Sequence, residues 1–283
     1  MKRLVVSAVC LAVICFAAAT LARPLRIASE TETVVVASGP LKLRALLWRP
    51  PGHGPFPAVL FNHGSYSTGD AISVDEAGAL GSVFARHGYV FLFLFRQGIG
   101  LSKGQGTPDG ELMSRAFAAH GLDGRNRVQL ELLEGEELEE ARAGLAFLRR
   151  LPDVDARRIA VSGHSFGGSL SLVLTARDAR IRAAVLFGAA AASWGQSPVL
   201  RARLRAAAIG SAAPIMFIHA ANDYSIAPGQ VLADAMRRAG KPYVLKIYPA
   251  AGTTAREGHN LLYRIVDTWE SDVFGFLAAN MRG

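Results

Sequence analysis

The stretch Arg158-Ile159-Ala160-Val161-Ser162-Gly163-His164-Ser165-Phe166-Gly167-Gly168-Ser169-Leu170 constrains this chain more than any other. A short apolar run leads into Gly-His-Ser-Phe-Gly and a helix-forming run follows, so the segment reads as strand, tight turn, helix. Such a turn strains the backbone at the serine, lifts its hydroxyl out of the sheet and points the next N–H groups at the same spot. Gly163 and Gly167 stand where a side chain would collide with the neighbouring strand or helix. With 29 glycines the chain offers many chances for such a pentapeptide to be an ordinary turn, so the flanking pattern and the partners of Ser165 must decide.

The flanks place the turn in an alternating fold. Strands are expected over 31–37 and 41–48, joined at Gly39-Pro40, and over 57–62. The run 89–95 is nearly all apolar and short, which suits a strand buried on both faces. Further strands are read at 159–161, 181–187, 214–219 and 243–248, and helices at 74–87, 128–151, 170–176, 228–239 and 262–281. Alternation of this kind in the second half predicts a parallel sheet with helices on both faces. Residues 97–127 and 188–213, the latter with an Arg-rich short helix around Leu200 to Ala208, interrupt it as long connections and are candidate lids or binding loops.

The N-terminus reads separately. Lys2 and Arg3, an apolar run from Leu4 to Phe16 and the small residues before Arg23 describe an export signal over 1–22, with 23–283 as one catalytic domain. An uncleaved membrane anchor is the alternative, and once the signal is removed no membrane span is expected. Cys10 and Cys15 both lie in that segment, so the remainder has no thiol for nucleophilic or metal chemistry. The formal charge of +8 comes from arginines spread along the chain, without a basic stripe interleaved with aromatics, so nucleic acid is not an expected partner. No dense metal-ligand cluster or dinucleotide fingerprint occurs, and no metal or cofactor is expected.

A serine hydroxyl needs an adjacent base, and the base an orienting acid. In a strand–turn–helix setting the chain order is Ser, then Asp or Glu, then His. Two histidines follow Ser165: His219, at the end of an apolar strand and ahead of any suitable acid, and His259, in a polar loop after the last strand. His259 is therefore the base. Asp178 and Asp234 fall in or beside helices, Glu257 is too near His259, and 183–213 contains no carboxylate, which leaves Asp223. An oxyanion hole needs the N–H of Phe166 and a second donor from the loop Asn62-His63-Gly64-Ser65-Tyr66, either Ser65 or Tyr66. His63 reads as a packing histidine.

The set Asn62-His63-Gly64, Gly163-His164-Ser165-Phe166-Gly167-Gly168, Asn222-Asp223 and Gly258-His259 resembles the α/β-hydrolase superfamily, and within it the dienelactone hydrolase-like and acyl-peptidase-like branch. Phe95-Arg96-Gln97-Gly98-Ile99-Gly100-Leu101-Ser102 resembles that group's loop after the fourth strand. The resemblance implies an α/β-hydrolase fold, a mostly parallel sheet of about eight strands with helices on both faces, and acyl transfer through Ser165, Asp223 and His259. Dienelactone hydrolases proper carry a cysteine at the position of Ser165.

The expected activity is that of an exported serine hydrolase acting on a small ester or acyl substrate. A peptidase, an acyltransferase and an inactive binding protein on the same scaffold are the alternatives. Arg96 and Trp194 are candidate substrate-binding residues. Arg96, Arg201, Arg203 and Arg205 are candidates for attracting an anionic acyl group, although solvated surface charge explains them as well, and Trp194 either lines the pocket or packs the lid core.

Overall fold

Consecutive apolar residues around Phe91 demand burial on both faces, and the chain meets that demand with one eight-stranded sheet built around them. The computed structural model describes residues 31–69, 72 and 74–282. The segment 1–22 that reads as an export signal lies outside the described residues.

In chain order the main elements are β1 (Thr31–Ser38), β2 (Leu41–Trp48), β3 (Phe56–Asn62), α1 (Val74–Arg86), β4 (Val90–Leu94), α2 (Asp109–Glu134), α3 (Glu136–Arg150), β5 (Val154–His164), α4 (Phe166–Arg177), β6 (Ala184–Phe187), α5 (Pro198–Gly210), β7 (Ile215–Ala220), α6 (Ala227–Arg238), β8 (Tyr243–Tyr248), α7 (Ala255–His259), α8 (Leu261–Arg264) and α9 (Val266–Asn280). The strand order is β1-β2-β4-β3-β5-β6-β7-β8. β2 runs antiparallel to β1 and β4, and every other pairing is parallel. All parallel strands therefore end at the same edge, where ligands bind in open α/β sheets.

The pleat sorts the side chains by period two. Leu60, Leu92 and Leu94 face one layer, with Leu145 of α3 and Leu170 of α4; Phe61, Phe91 and Phe93 face the other, with Phe84 of α1 and Phe274 of α9. Phe84 and Phe91 stack at 4.4 Å between centroids, and Phe61 and Phe93 at 5.0 Å.

The helices depart from the sequence pattern in several places, among them the helix expected over 262–281, which is two, α8 and α9. Residues 97–127 read as a connection, yet α2 begins at Asp109 and occupies most of it. Its buried face includes Asp109, Gly110, Gly124, Asn126 and Gln129, so no apolar stripe announces the helix. It is interrupted at His120 and at Gly121, where φ is 62°. The single helix expected over 128–151 is two, parted at Gly135. Residues 188–213 fold into α5, capped by the Ser197 hydroxyl accepting from the Leu200 N–H, and α5 packs against α4 and α6.

Candidate active site

Ser165 sits between β5 and α4 with φ of 55°, a left-handed conformation that costs a non-glycine residue energy and that the packing must hold. The packing is close enough to do so. A Cβ on Gly167 would lie 2.1 Å from the Asn62 carbonyl oxygen, and one on Gly163 would lie 2.2 Å from that of Gly167. The bare Gly167 lets the turn approach the end of β3, and the bare Gly163 lets α4 approach β5.

Ser165, Asp223 and His259 come together in one chain of hydrogen bonds. His259 Nε2 is 2.9 Å from Ser165 Oγ, and His259 Nδ1 is 2.7 Å from Asp223 Oδ1. A carboxylate only accepts, so Nδ1 carries the hydrogen and Nε2 is free to take a proton from the serine. Burial opposes the charge on Asp223, but hydrogen bonds from His219 and His259 outweigh it and hold the carboxyl down at about 2. His219, set aside as a base in the sequence, reaches the other oxygen: its Nδ1 lies 2.8 Å from Oδ2. Its spacing of four residues ahead of Asp223 was the only sequence signal for that contact.

The loop after β3 is braced from below. Arg96 is fully buried and donates from Nη1 to the His63 carbonyl at 2.7 Å and from Nη2 to the Gly64 carbonyl at 3.0 Å. It pairs with Glu137 and, at 3.3 Å, with Asp109, and lies 5.4 Å from the Phe166 ring centroid. Arg96 is thus not a substrate ligand, as its charge had suggested, because no part of it reaches the cleft. Asp109 Oδ1 accepts the Tyr66 N–H at 3.0 Å. That bond occupies Tyr66, so of the two candidate oxyanion donors on this loop Ser65, exposed and without a hydrogen bond to any described residue, remains available. The N–H of Phe166, first in α4, has no intrahelical acceptor. His63 is neutral: Nδ1 donates to the Gly64 carbonyl at 2.7 Å and Nε2 accepts the Arg96 N–H at 3.1 Å. Burial and then Arg96 hold its pKa well below the ordinary value. Neither Asp109 nor Glu137 is distinguishable in the sequence from other helix carboxylates.

His164 has its Nε2 2.9 Å from the carbonyl oxygen of His259, to which it donates, tying the turn at Ser165 to the end of α7, where His259 sits instead of in the polar loop expected from the sequence. Burial, followed by the nearby His259, lowers its pKa to about 3. In the unfolded chain it protonates near the ordinary value of about 6.5. The unfolded state then binds the extra proton, so the stability this residue contributes is lost as pH falls from about 6.5 toward about 3. His164→Gln, which keeps a donor for the carbonyl but does not titrate, is expected to flatten the fall of the melting temperature over that window in a calorimetric pH series. An unchanged slope contradicts this account of His164.

Two clefts open beside Ser65. One, of about 540 Å³, contains Ser165, His259, Tyr224, Arg256 and Tyr263. The other, of about 600 Å³, lies under α2 and is lined by Met113, Phe117, Leu122, Arg125 and Gln196. Arg125 is half-buried and, among the described residues, donates to the neutral Asn126 Oδ1 at 3.3 Å and Ser193 Oγ at 3.1 Å. Trp194, the other candidate for substrate contact, is buried and packs with Leu200 and Leu204 in the core instead. Arg203 pairs with Glu134, and Arg201 donates to the Trp194 carbonyl at 2.7 Å.

The model of the dienelactone hydrolase family matches residues 43–259. No curated protein matches the chain. Among solved structures, a dienelactone hydrolase from Anabaena variabilis aligns with a TM-score of 0.62 at 18% identity, over 90% of this chain and 99% of its own. An acylaminoacyl peptidase from Pyrococcus horikoshii aligns with a TM-score of 0.64 at 16% identity, over 89% of this chain but 42% of its own. Dipeptidyl peptidase 4 from Porphyromonas gingivalis aligns with a TM-score of 0.62 at 17% identity, over 89% and 36%. These likenesses show the α/β-hydrolase fold.

Proposed function

This chain belongs to the dienelactone hydrolase family, and from that premise we propose that it hydrolyses carboxylic esters through an acyl-enzyme on Ser165. The observation that carries the reading is the unbroken line from Asp223 through His259 to the Ser165 hydroxyl. His259 Nε2 takes the hydroxyl proton as Oγ attacks the ester carbonyl. The negative charge that develops on the carbonyl oxygen is met by the N–H groups of Phe166 and Ser65. His259 then gives its proton to the departing alkoxide as the ester C–O bond breaks. Water, deprotonated by the same nitrogen, releases the acid and restores Ser165.

The structural correspondence over 99% of a dienelactone hydrolase, against 42% of a peptidase, favours an ester over a peptide. The cleft under α2 takes the acyl group: Met113, Phe117 and Leu122 suit a short apolar chain, and Arg125 has no carboxylate partner among the described residues. An acyl group ending in a carboxylate therefore fits this cleft. Residues 1–22, read as an export segment, put this activity outside the cytoplasm in the same proposal.

The test pairs Ser165→Ala with a panel of nitrophenyl esters. The parent is expected to cleave short acyl esters, to prefer the succinate half-ester over the butyrate, and to react with a fluorophosphonate at Ser165. Ser165→Ala is expected to lose roughly 10⁵-fold or more in kcat and all labelling. A variant that retains the parental rate overturns the reading. Faster cleavage of an acyl-peptide anilide than of any ester replaces it with the peptidase reading.

A further inference from the structure

The two oxygens of Asp223 are held by different histidines, and only one of these is used in the mechanism above. Oδ1 accepts from His259 Nδ1 at 2.7 Å and from the Tyr224 N–H at 2.7 Å. Oδ2 accepts from His219 Nδ1 at 2.8 Å, and no other donor among the described residues reaches it. Because the carboxylate can only accept, His219 too carries its hydrogen on Nδ1.

We propose that His219 is a positioning residue for the hydrolysis, holding the Asp223 carboxylate in the plane that aims Oδ1 at His259. The inference rests on Ser165, Asp223 and His259 performing the reaction, and adds to it the group that keeps the acid in place. A carboxylate gripped at one oxygen can still swing about its last bond; a second grip at the other oxygen stops that rotation. The imidazole that supplies the grip is itself immobile. His219 is 1% exposed at the end of β7, and α6 closes over it so tightly that a Cβ on Gly229 would lie 2.7 Å from its Cδ2 and 2.9 Å from its Nε2. The absence of a side chain at Gly229 is what lets helix and ring approach.

The position matters because Asp223 works through orientation. Misplacing a reacting group by about 1 Å costs on the order of 100-fold, and the geometry of His259 is set by the oxygen it faces. Removing His219 also leaves Oδ2 buried with no partner.

The experiment compares His219→Phe, His219→Asn and Ser165→Ala on p-nitrophenyl acetate. His219→Phe keeps the volume and removes the donor. It is expected to lower kcat by roughly 10- to 100-fold with KM within about twofold. His219→Asn offers an N–H near the same place and is expected to recover most of the rate. A His219→Phe enzyme with parental kcat overturns the proposal, provided Ser165→Ala is inactive. If Ser165→Ala is fully active, the underlying reading of the site has failed instead. Nitrogen-15 NMR of the unmodified protein needs no folded variant. It is expected to show His219 protonated on Nδ1 with a strongly downfield proton, and a His219 carrying its hydrogen on Nε2 alone overturns the proposal.

Discussion

Asp223→Asn is expected to lower kcat on p-nitrophenyl acetate by about 10⁴-fold while leaving KM nearly unchanged. The reason lies in the two histidines. Asp223 accepts one N–H at each oxygen, from His259 on Oδ1 and from His219 on Oδ2. An asparagine has one accepting oxygen and one donating nitrogen in the same space, so one of the two rings must turn its bare nitrogen toward the amide. If that ring is His259, its hydrogen moves to Nε2, which then points a donor at Ser165 Oγ and can no longer take the serine proton. Steady-state kinetics and fluorophosphonate labelling check this together, and both are expected to fall. Parental kcat in a folded Asp223→Asn protein would remove Asp223 from the mechanism.

Arg96→Met is expected to be strongly destabilising. Among the described residues, Arg96 is the cation of the group formed with Asp109, Glu137 and Glu140. Burial pushes all three carboxyl groups up, Glu140 to about 7, and the guanidinium acts against that push. Breaking a buried pair from one side typically costs about 3–5 kcal/mol, a large share of the roughly 5–15 kcal/mol that holds a domain together. A fall of about 10 °C in melting temperature is the corresponding result. Activity is expected to fall as well, because the carbonyls of His63 and Gly64 lose the donors that shape the loop carrying Ser65. Arg96→Met combined with Glu137→Met separates the two effects: stability is expected to return in large part, and the rate is not. Recovery of both would mean that Arg96 matters only through its charge.

The sequence reading and the structure agree where the physics is local or ordered along the chain. Gly163 and Gly167 mark the turn because no side chain fits there, a constraint visible in the residues themselves. Asp223 and His259 were found by order and elimination, since the turn at Ser165 dictates what must follow it. The strands were legible for the same reason: a short run such as the one around Phe91 has no other way to hide both faces. Arg96 was misread because an arginine in a Gly-rich loop looks solvated, and only the approach of α2 and α3 reveals the carboxylates that bury it. α2 itself was obscured by its buried polar and glycine positions, which break the apolar period.

The residues alone singled out Ser165, His259 and Asp223 as the proposed nucleophile, base and acid, and determined the strand–helix alternation, because each follows from backbone sterics, burial period or chain order. Tertiary structure decided what surrounds them. It brought His219 onto Asp223, Asp109 onto the N–H of Tyr66 and Arg96 under the loop of Ser65, across separations of 4, 43 and 33 residues. Such contacts join hydrogen-bond donors and acceptors that are common in any sequence. Only the packing of particular helices against particular strands selects which of them meet.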